Sequence, residues 1–354
     1  MMFKSSGRRS RHVGVALCVV LVAAGAAWAG GSPGAVGVSV PDGTTSRVSV
    51  SSTKTQTAPA SEPLSASQLR RLPLEGTARN DVAAADARAT NGRLVFTRFV
   101  RGEFDEQRNE IYTSRSDGTA VRQLTFRGEN TGPQWAPFGN RIVFSRNGDI
   151  WVMGANGGHK HRLVGGPALD YEPAWAPRGR RIVFVRGLES ARLVVYSMAT
   201  ESSRRIPGSF AHPAGPKWSP DGRQIIFAGT VANDSETPDL YTVRPGGRGL
   251  RNLTTTPRIW ENGPDWSPNG HRIVYVHEGN RCRTLHVMRS DGTDDQRLPR
   301  SCPAEYPAWS PDGIKVAFNP HPEMGGRLWS MSMNGTHKML VTRGDDPDWQ
   351  LRFK

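Results

Sequence analysis

The chain has 354 residues, enough for one large domain or two ordinary ones, and only three cysteines. Lys and Arg outnumber Asp and Glu by 46 to 32, a formal charge of +14. That excess suits anionic surroundings, but no segment resembles a DNA- or RNA-binding motif, so nucleic acid is not an expected partner.

Residues 1–29 read as a signal peptide. Lys4, Arg8, Arg9 and Arg11 form a basic start, Val13 to Ala26 an apolar core, and Ala27-Trp28-Ala29 a small-x-small cleavage signal. The apolar stretch falls short of the ~20 residues of a spanning helix, so no transmembrane span is expected after cleavage, and an uncleaved anchor is the alternative. Cleavage removes four positive charges and no negative ones. Residues 30–90, dominated by Ser, Thr, Ala and Pro, show no sustained apolar period and read as a disordered tether. Within them "GGSPG" (Gly30 to Gly34) matches G-x-S-x-G only formally, because that pattern needs a strand-to-helix elbow.

From residue 91 to 354 a repeat takes over. "GRLVF" (92–96), "NEIYTSR" (109–115) and "VRQLT" (121–125) read as strands with no Pro-x-Trp before them. Pro-x-Trp then recurs with its tryptophans at 135, 175, 218, 266, 309 and 349, spaced 40, 43, 48, 43 and 40 residues apart. After the first five comes a corner of the Ser-Pro-Asp-Gly kind, where Pro presets one φ and Gly supplies a positive one. Short β-branched runs follow, "RIVF" (141–144), "RIVF" (181–184), "QIIF" (224–227), "RIVY" (272–275) and "KVAF" (315–318), then a third and a shorter fourth strand. Four strands per ~40–45 residues, repeated, is the signature of propeller blades.

The ends set the blade count. The first unit lacks its first strand, and Pro347-Asp348-Trp349 is a first strand without a blade. Joining them predicts an all-β, six-bladed propeller closed by the C-terminal strand, with no open sheet edge. The repeat tryptophans are expected to be core, since each buries ~150–250 Å², worth roughly 4–6 kcal/mol before entropy.

"PKWSPDGRQIIF" (216–227) and "PAWSPDGIKVAF" (307–318), each followed by a strand and a Gly-containing turn, resemble the repeat of the TolB-like β-propeller family. The resemblance covers about residues 91–354 and implies the propeller alone. The N-terminal α/β domain of TolB has no counterpart in residues 30–90.

Two cysteines follow the signal peptide, Cys282 and Cys302. Folding the hairpin about Asp291-Gly292 brings them within about a residue of each other, so a disulfide stapling blade five is expected. His159 and His161 share a turn, and His277 and His286 share blade five, but neither pair has the company a metal site needs, and no metal is expected. No Ser-His-Asp set, paired-carboxylate motif or phosphate loop is present, and no catalytic residue is assigned.

Five of the six crossings that precede Pro-x-Trp carry acid. Glu129, Asn130, Asp170, Glu172, His212, Glu261, Asn262, Glu305, Asp345 and Asp346 occupy them, and in a propeller such crossings lie on one face around the channel mouth. The expectation is a mouth for a cation or for a basic or amine-bearing group. Loop capping by the same acids is the plainer alternative. Together these features predict an exported, non-enzymatic, monomeric propeller, secreted or in the cell envelope or periplasm. It would bind a protein or cell-envelope polymer through one face and need no cofactor beyond such a cation. The alternative is a propeller lyase or hydrolase acting on a glycan.

Overall fold

A computed structural model describes residues 89–101, 107–231, 237–279, 281–320 and 326–353. The expected signal peptide and nearly all of the expected tether, "GGSPG" included, lie outside the described residues. Every regular element among the described residues is a strand, and the 24 strands form six four-stranded antiparallel sheets. They are the blades of a six-bladed β-propeller.

Blade one closes the ring as the sequence predicts. Its innermost strand is Asp345–Phe353, which pairs with Ala89–Arg101, and Gln107–Arg115 and Arg122–Gln123 complete the sheet. The register sets Leu94 opposite Trp349 and Thr97 opposite Asp345. The innermost strands of blades two to six are Asn130–Trp135, Asp170–Trp175, Phe210–Trp218, Trp260–Trp266 and Glu305–Trp309.

All six repeat tryptophans are at most 8% exposed. Each packs against the preceding blade: Trp175 lies with Val143 and Val152 of blade two, and Trp349 with Ala308 and Ala317 of blade six. The blades therefore share their cores with their neighbours, and a blade cannot bury its apolar face alone. Arg181, the first residue of the strand Arg181–Arg186 in blade three, lies over the Trp218 ring at 5.0 Å from its centroid, a cation–π contact between neighbouring blades.

The corners are built as their composition requires. The Ser310 hydroxyl donates to Asp312 at 2.6 Å and accepts the Lys315 N–H at 2.8 Å, while the Gly313 N–H closes the turn on the Ser310 carbonyl. Gly313 has φ +73°, the left-handed region that favours glycine. Ser219 and Ser267 repeat the arrangement.

A second irregularity recurs where the innermost strands bend. The residue before each Pro-x-Trp has φ between +47° and +59° in all six copies: Gly132, Glu172, Gly215, Gly263, Tyr306 and Asp346. In blades two to six this coincides with a register shift against the second strand. Such a bulge resets which side chains face which side of the sheet.

The two cysteines are joined, with Cα atoms 6.0 Å apart. Cys282 immediately precedes the strand Arg283–Arg289 and Cys302 lies in the crossing toward blade six, so the bridge ties blade five to that crossing.

Candidate functional site

The bulge divides each innermost strand into two stretches. Before it lie the crossing residues, at the end where the strand enters from the preceding blade. After it lies the middle residue of Pro-x-Trp: Gln134, Ala174, Lys217, Asp265, Ala308 and Asp348 in successive blades. Tryptophan turns into the blade interface, so by alternation its neighbour faces the other way.

These middle residues and the bulge residues converge on the axis. Lys217 of blade four feels Asp348 and Asp346 of blade one, Asp265 of blade five and Glu172 of blade three. Blades one and four stand opposite each other in a ring of six, so side chains from both can interact only across the central channel. The channel thus holds one ammonium among four carboxylates.

The same carboxylates bind the ring together. The Trp135 N–H donates to Asp348 at 2.7 Å, and the Trp309 N–H to Asp265 at 2.7 Å. The Trp175 N–H does the same with the Gln134 side-chain oxygen at 2.6 Å. Glu172 accepts the Gly215 N–H at 2.7 Å, and Asp346 accepts that of Gly132. Every one of these bonds runs from one blade to the next.

Burial makes these anions unfavourable. It pushes Glu172 up to about 7, against the Gly215 N–H, with Asp346 raising it further and Lys217 lowering it. Burial likewise pushes Asp348 up to about 7, against Lys217 and the Trp135 N–H. Asp265 and Asp346 are also raised by burial, with Lys217 opposing. For Lys217 burial works against the charge, but the four carboxylates outweigh it and hold its pKa above the ordinary value. Glu172 and Asp348 therefore keep part of their protons near neutral pH and can still release them.

The residues expected at the mouth separate into two groups. Glu172 and Asp346 join the channel set. Five of the others, Glu129, Asn130, Asp170, Glu305 and Asp345, are engaged locally. Asp170, fully buried, takes Arg186 in a two-point pair at 2.7 and 2.9 Å. Glu305 is paired with Arg283, which also reaches Glu278 at 3.1 Å. Glu129 accepts from the backbone and side chain of Asn109 at 2.9 and 2.6 Å. Asn130, buried, donates to Glu110 at 3.0 Å and to the Gly128 carbonyl at 2.8 Å. Asp345 accepts from Asn319 at 3.0 Å and is pushed up to about 6 by burial and by Asp346, with Asn319 opposing. Asn262 is half-buried, and His212 is exposed with φ +48°.

Glu261 is fully buried, with His277 Nδ1 at 3.6 Å. Burial pushes its carboxyl up to about 7, against the Thr254 and Thr256 hydroxyls, with Asp239 and Asp295 adding to the rise. The His277 ring stacks on His286 at 4.3 Å, and His286 meets Asp295 at 3.0 Å, an acceptor shared with the Tyr275 hydroxyl at 2.8 Å. Among the described residues no group of three or more His, Cys, Asp or Glu side chains is placed to hold a metal ion.

Sequence reasoning missed Lys217, Asp265 and Asp348. Their signal was present in the variable position of Pro-x-Trp, which holds a charged residue in three of the six copies.

Comparison with known proteins bears on the architecture. Residues 186–350 match the family described as the TolB beta propeller domain. The Tol-Pal system protein TolB of Zymomonas mobilis subsp. mobilis is 34% identical over 68 residues, 18% of this chain and 15% of that protein. The chain therefore spans a small part of the curated relative it matches. The crystal structure of TolB from Acinetobacter baumannii superposes with a TM-score of 0.63 at 19% identity, over 73% of this chain and 66% of that one. An oligogalacturonate lyase from Vibrio parahaemolyticus superposes with a TM-score of 0.51 at 13% identity, over 70% and 74% of the two chains. At such identities the two structures share the fold with this chain.

Proposed function

From the TolB-type propeller to which residues 186–350 belong, we propose that the chain is an exported binding propeller, acting outside the cytoplasm or in the cell envelope without catalysis. It recognises a protein or cell-envelope ligand through the mouth of its channel. The group it takes there is cationic, a Lys or Arg side chain or another amine. The observation that supports this reading is the channel set itself. Glu172, Asp265, Asp346 and Asp348 surround a single ammonium, Lys217, in a chain whose overall charge is strongly positive.

A second cation relieves what burial imposes. Carboxylates raised toward neutrality ionise when a positive group arrives, and the attraction is strong because water is largely displaced. Binding of this kind releases protons and weakens with salt. The naming of a relative as a Tol-Pal system protein is consistent with an envelope partner. Asp170 and Glu305 brace the mouth by pairing with arginines, and Glu129 and Asp345 by accepting from asparagines.

The test is capture. Immobilised protein and a Glu172→Gln, Asp265→Asn, Asp346→Asn, Asp348→Asn variant are exposed to envelope extracts, and retained components are identified by mass spectrometry. Amides keep an oxygen to accept the interblade N–H groups, so the variant should fold. The reading requires a partner retained by the native chain and lost by the variant, and identical retention overturns it. Likeness in fold to an oligogalacturonate lyase keeps a second reading, catalysis on a glycan. It predicts chain shortening of polyuronate by the purified protein.

A further inference from the structure

Away from the channel, blade three gathers guanidinium groups around one cleft. A cavity of about 370 Å³ opens beside Gly187, with Ala168, Arg186, Arg192, Val194 and Arg205 among its walls. The register brings the arginines together: Arg192 lies directly opposite Arg186, and Arg205 lies opposite Val194. Side chains two residues apart share a face, so Arg192 and Val194 point the same way, together with their partners Arg186 and Arg205. Directly opposed Cβ atoms lie about 4.5–5.5 Å apart and diagonal ones about 7–8 Å, well within the reach of three arginines.

Most of this charge has no counterpart. Arg186 spends Nε and Nη2 on the buried Asp170, which fixes the plane of its guanidinium and leaves it further donors. Arg192 turns its Nε toward the Ser190 carbonyl at 3.3 Å. Among the described residues neither Arg192 nor Arg205 has a carboxylate within 4 Å. Glu189, exposed, borders an adjoining cleft of about 330 Å³ that Arg192 and Arg205 also line, with Phe210 and His212. Like charges directly opposed across strands cost stability, and Asp170 offsets only the Arg186 member of the pair. The floor under them is apolar, because Val194 is buried at 3% exposure.

We propose that this cleft binds an oxyanion, a carboxylate or phosphate, carried on a body of about monosaccharide size. Planar guanidinium forks match both oxyanions in two-point geometry. Arg186, already oriented by Asp170, is the rigid member, and Arg192 and Arg205 supply the compensating charge. The volume falls at the small end of the ~300–1,000 Å³ that ligand sites occupy. Val194 and Ala168 offer the apolar face against which the body of the ligand lies. This site is separate from the channel and is opposite to it in charge preference.

Calorimetric titration of the full chain with sodium glucuronate, glucose 1-phosphate and neutral glucose tests the proposal. Saturable binding of at least one anion is expected, weakening as salt is raised, with glucose silent. The better anion identifies carboxylate or phosphate as the favoured group. Arg192→Gln with Arg205→Gln should weaken that binding about tenfold or more, while melting at the native temperature or above because the opposed charges are gone. An Asp170→Asn variant, which frees Arg186, should weaken it less. The absence of binding by both anions, equal binding of glucose, or unchanged affinity in the double glutamine variant would overturn the proposal.

Discussion

Asp348, on the strand that closes the ring, accepts the backbone N–H of Trp135 in the next blade at 2.7 Å. One side chain thereby joins closure to the channel. It secures blade one to blade two and, on the axis, stands among the groups that hold the charge of Lys217.

Closure should be indispensable. Removing residues 346–354 deletes most of the innermost strand of blade one and uncovers the edge of Ala89–Arg101, along with the Trp349 contact to blade six. The truncated chain should aggregate or melt far below the native one, as read by light scattering and calorimetry. A monomeric truncation with native melting would contradict the closure.

Lys217 should matter most when its neighbours are ionised. Lys217→Met keeps the length of the side chain but leaves four carboxylates without a positive partner, at a cost on the order of 2 kcal/mol. Thermal melts should show a fall of several degrees at pH 8 and a smaller fall at pH 5. An equal fall at both values would mean that packing, and not charge, is the role of this residue.

The melting temperature of the native chain should rise on acidification. Glu172, Glu261 and Asp348 are pushed up to about 7 and Asp345 to about 6, all chiefly by burial. A carboxyl with a raised folded pKa binds its proton more tightly in the folded state. Its contribution is therefore fully present below the unfolded value near 4 and is lost as pH rises through 6 to 7. His277, lowered by burial and by His286, acts in the opposite direction as pH falls through about 6.5. With Asp265 and Asp346 raised in the same direction, six carboxyls against one imidazole predict a higher melting temperature at pH 5 than at pH 8, and the reverse order would refute it.

The bridge between Cys282 and Cys302 should leave no free thiol when denatured, unreduced protein purified under oxidising conditions is labelled. Two titratable thiols would refute it. Replacing both by Ser should cost roughly 3 kcal/mol, because the tie closes a loop of 20 residues.

The architecture was legible because its determinants are local. Pro-x-Trp and the Ser310-type corner are read within a dozen residues, and the orphan strand at Trp349 fixes the blade count. The channel was not legible for a geometric reason. Counting outward from each Pro-x-Trp with a strict period of two fails at the bulge, where Glu172 and Asp346 adopt φ near +50°. Asp170 and Glu261 consequently go into the blades, fully buried, while Asp265 and Asp348 go to the axis. Charge partners were equally invisible, since Lys217 and Asp348 are 131 residues apart and meet only because the ring closes.

The most direct test of the channel as a cation receptor uses one peptide in two forms, a short Lys-bearing sequence and its Nε-acetylated twin. Each is titrated by calorimetry into the native chain and into the variant with Glu172, Asp265, Asp346 and Asp348 as amides. The native chain should bind the lysine form, lose affinity as salt is raised and release protons on binding, whereas the acetylated peptide and the amide variant should each bind at least about tenfold more weakly. Equal binding of the two peptides, or unchanged binding by the amide variant, would show that the channel carboxylates serve the ring alone.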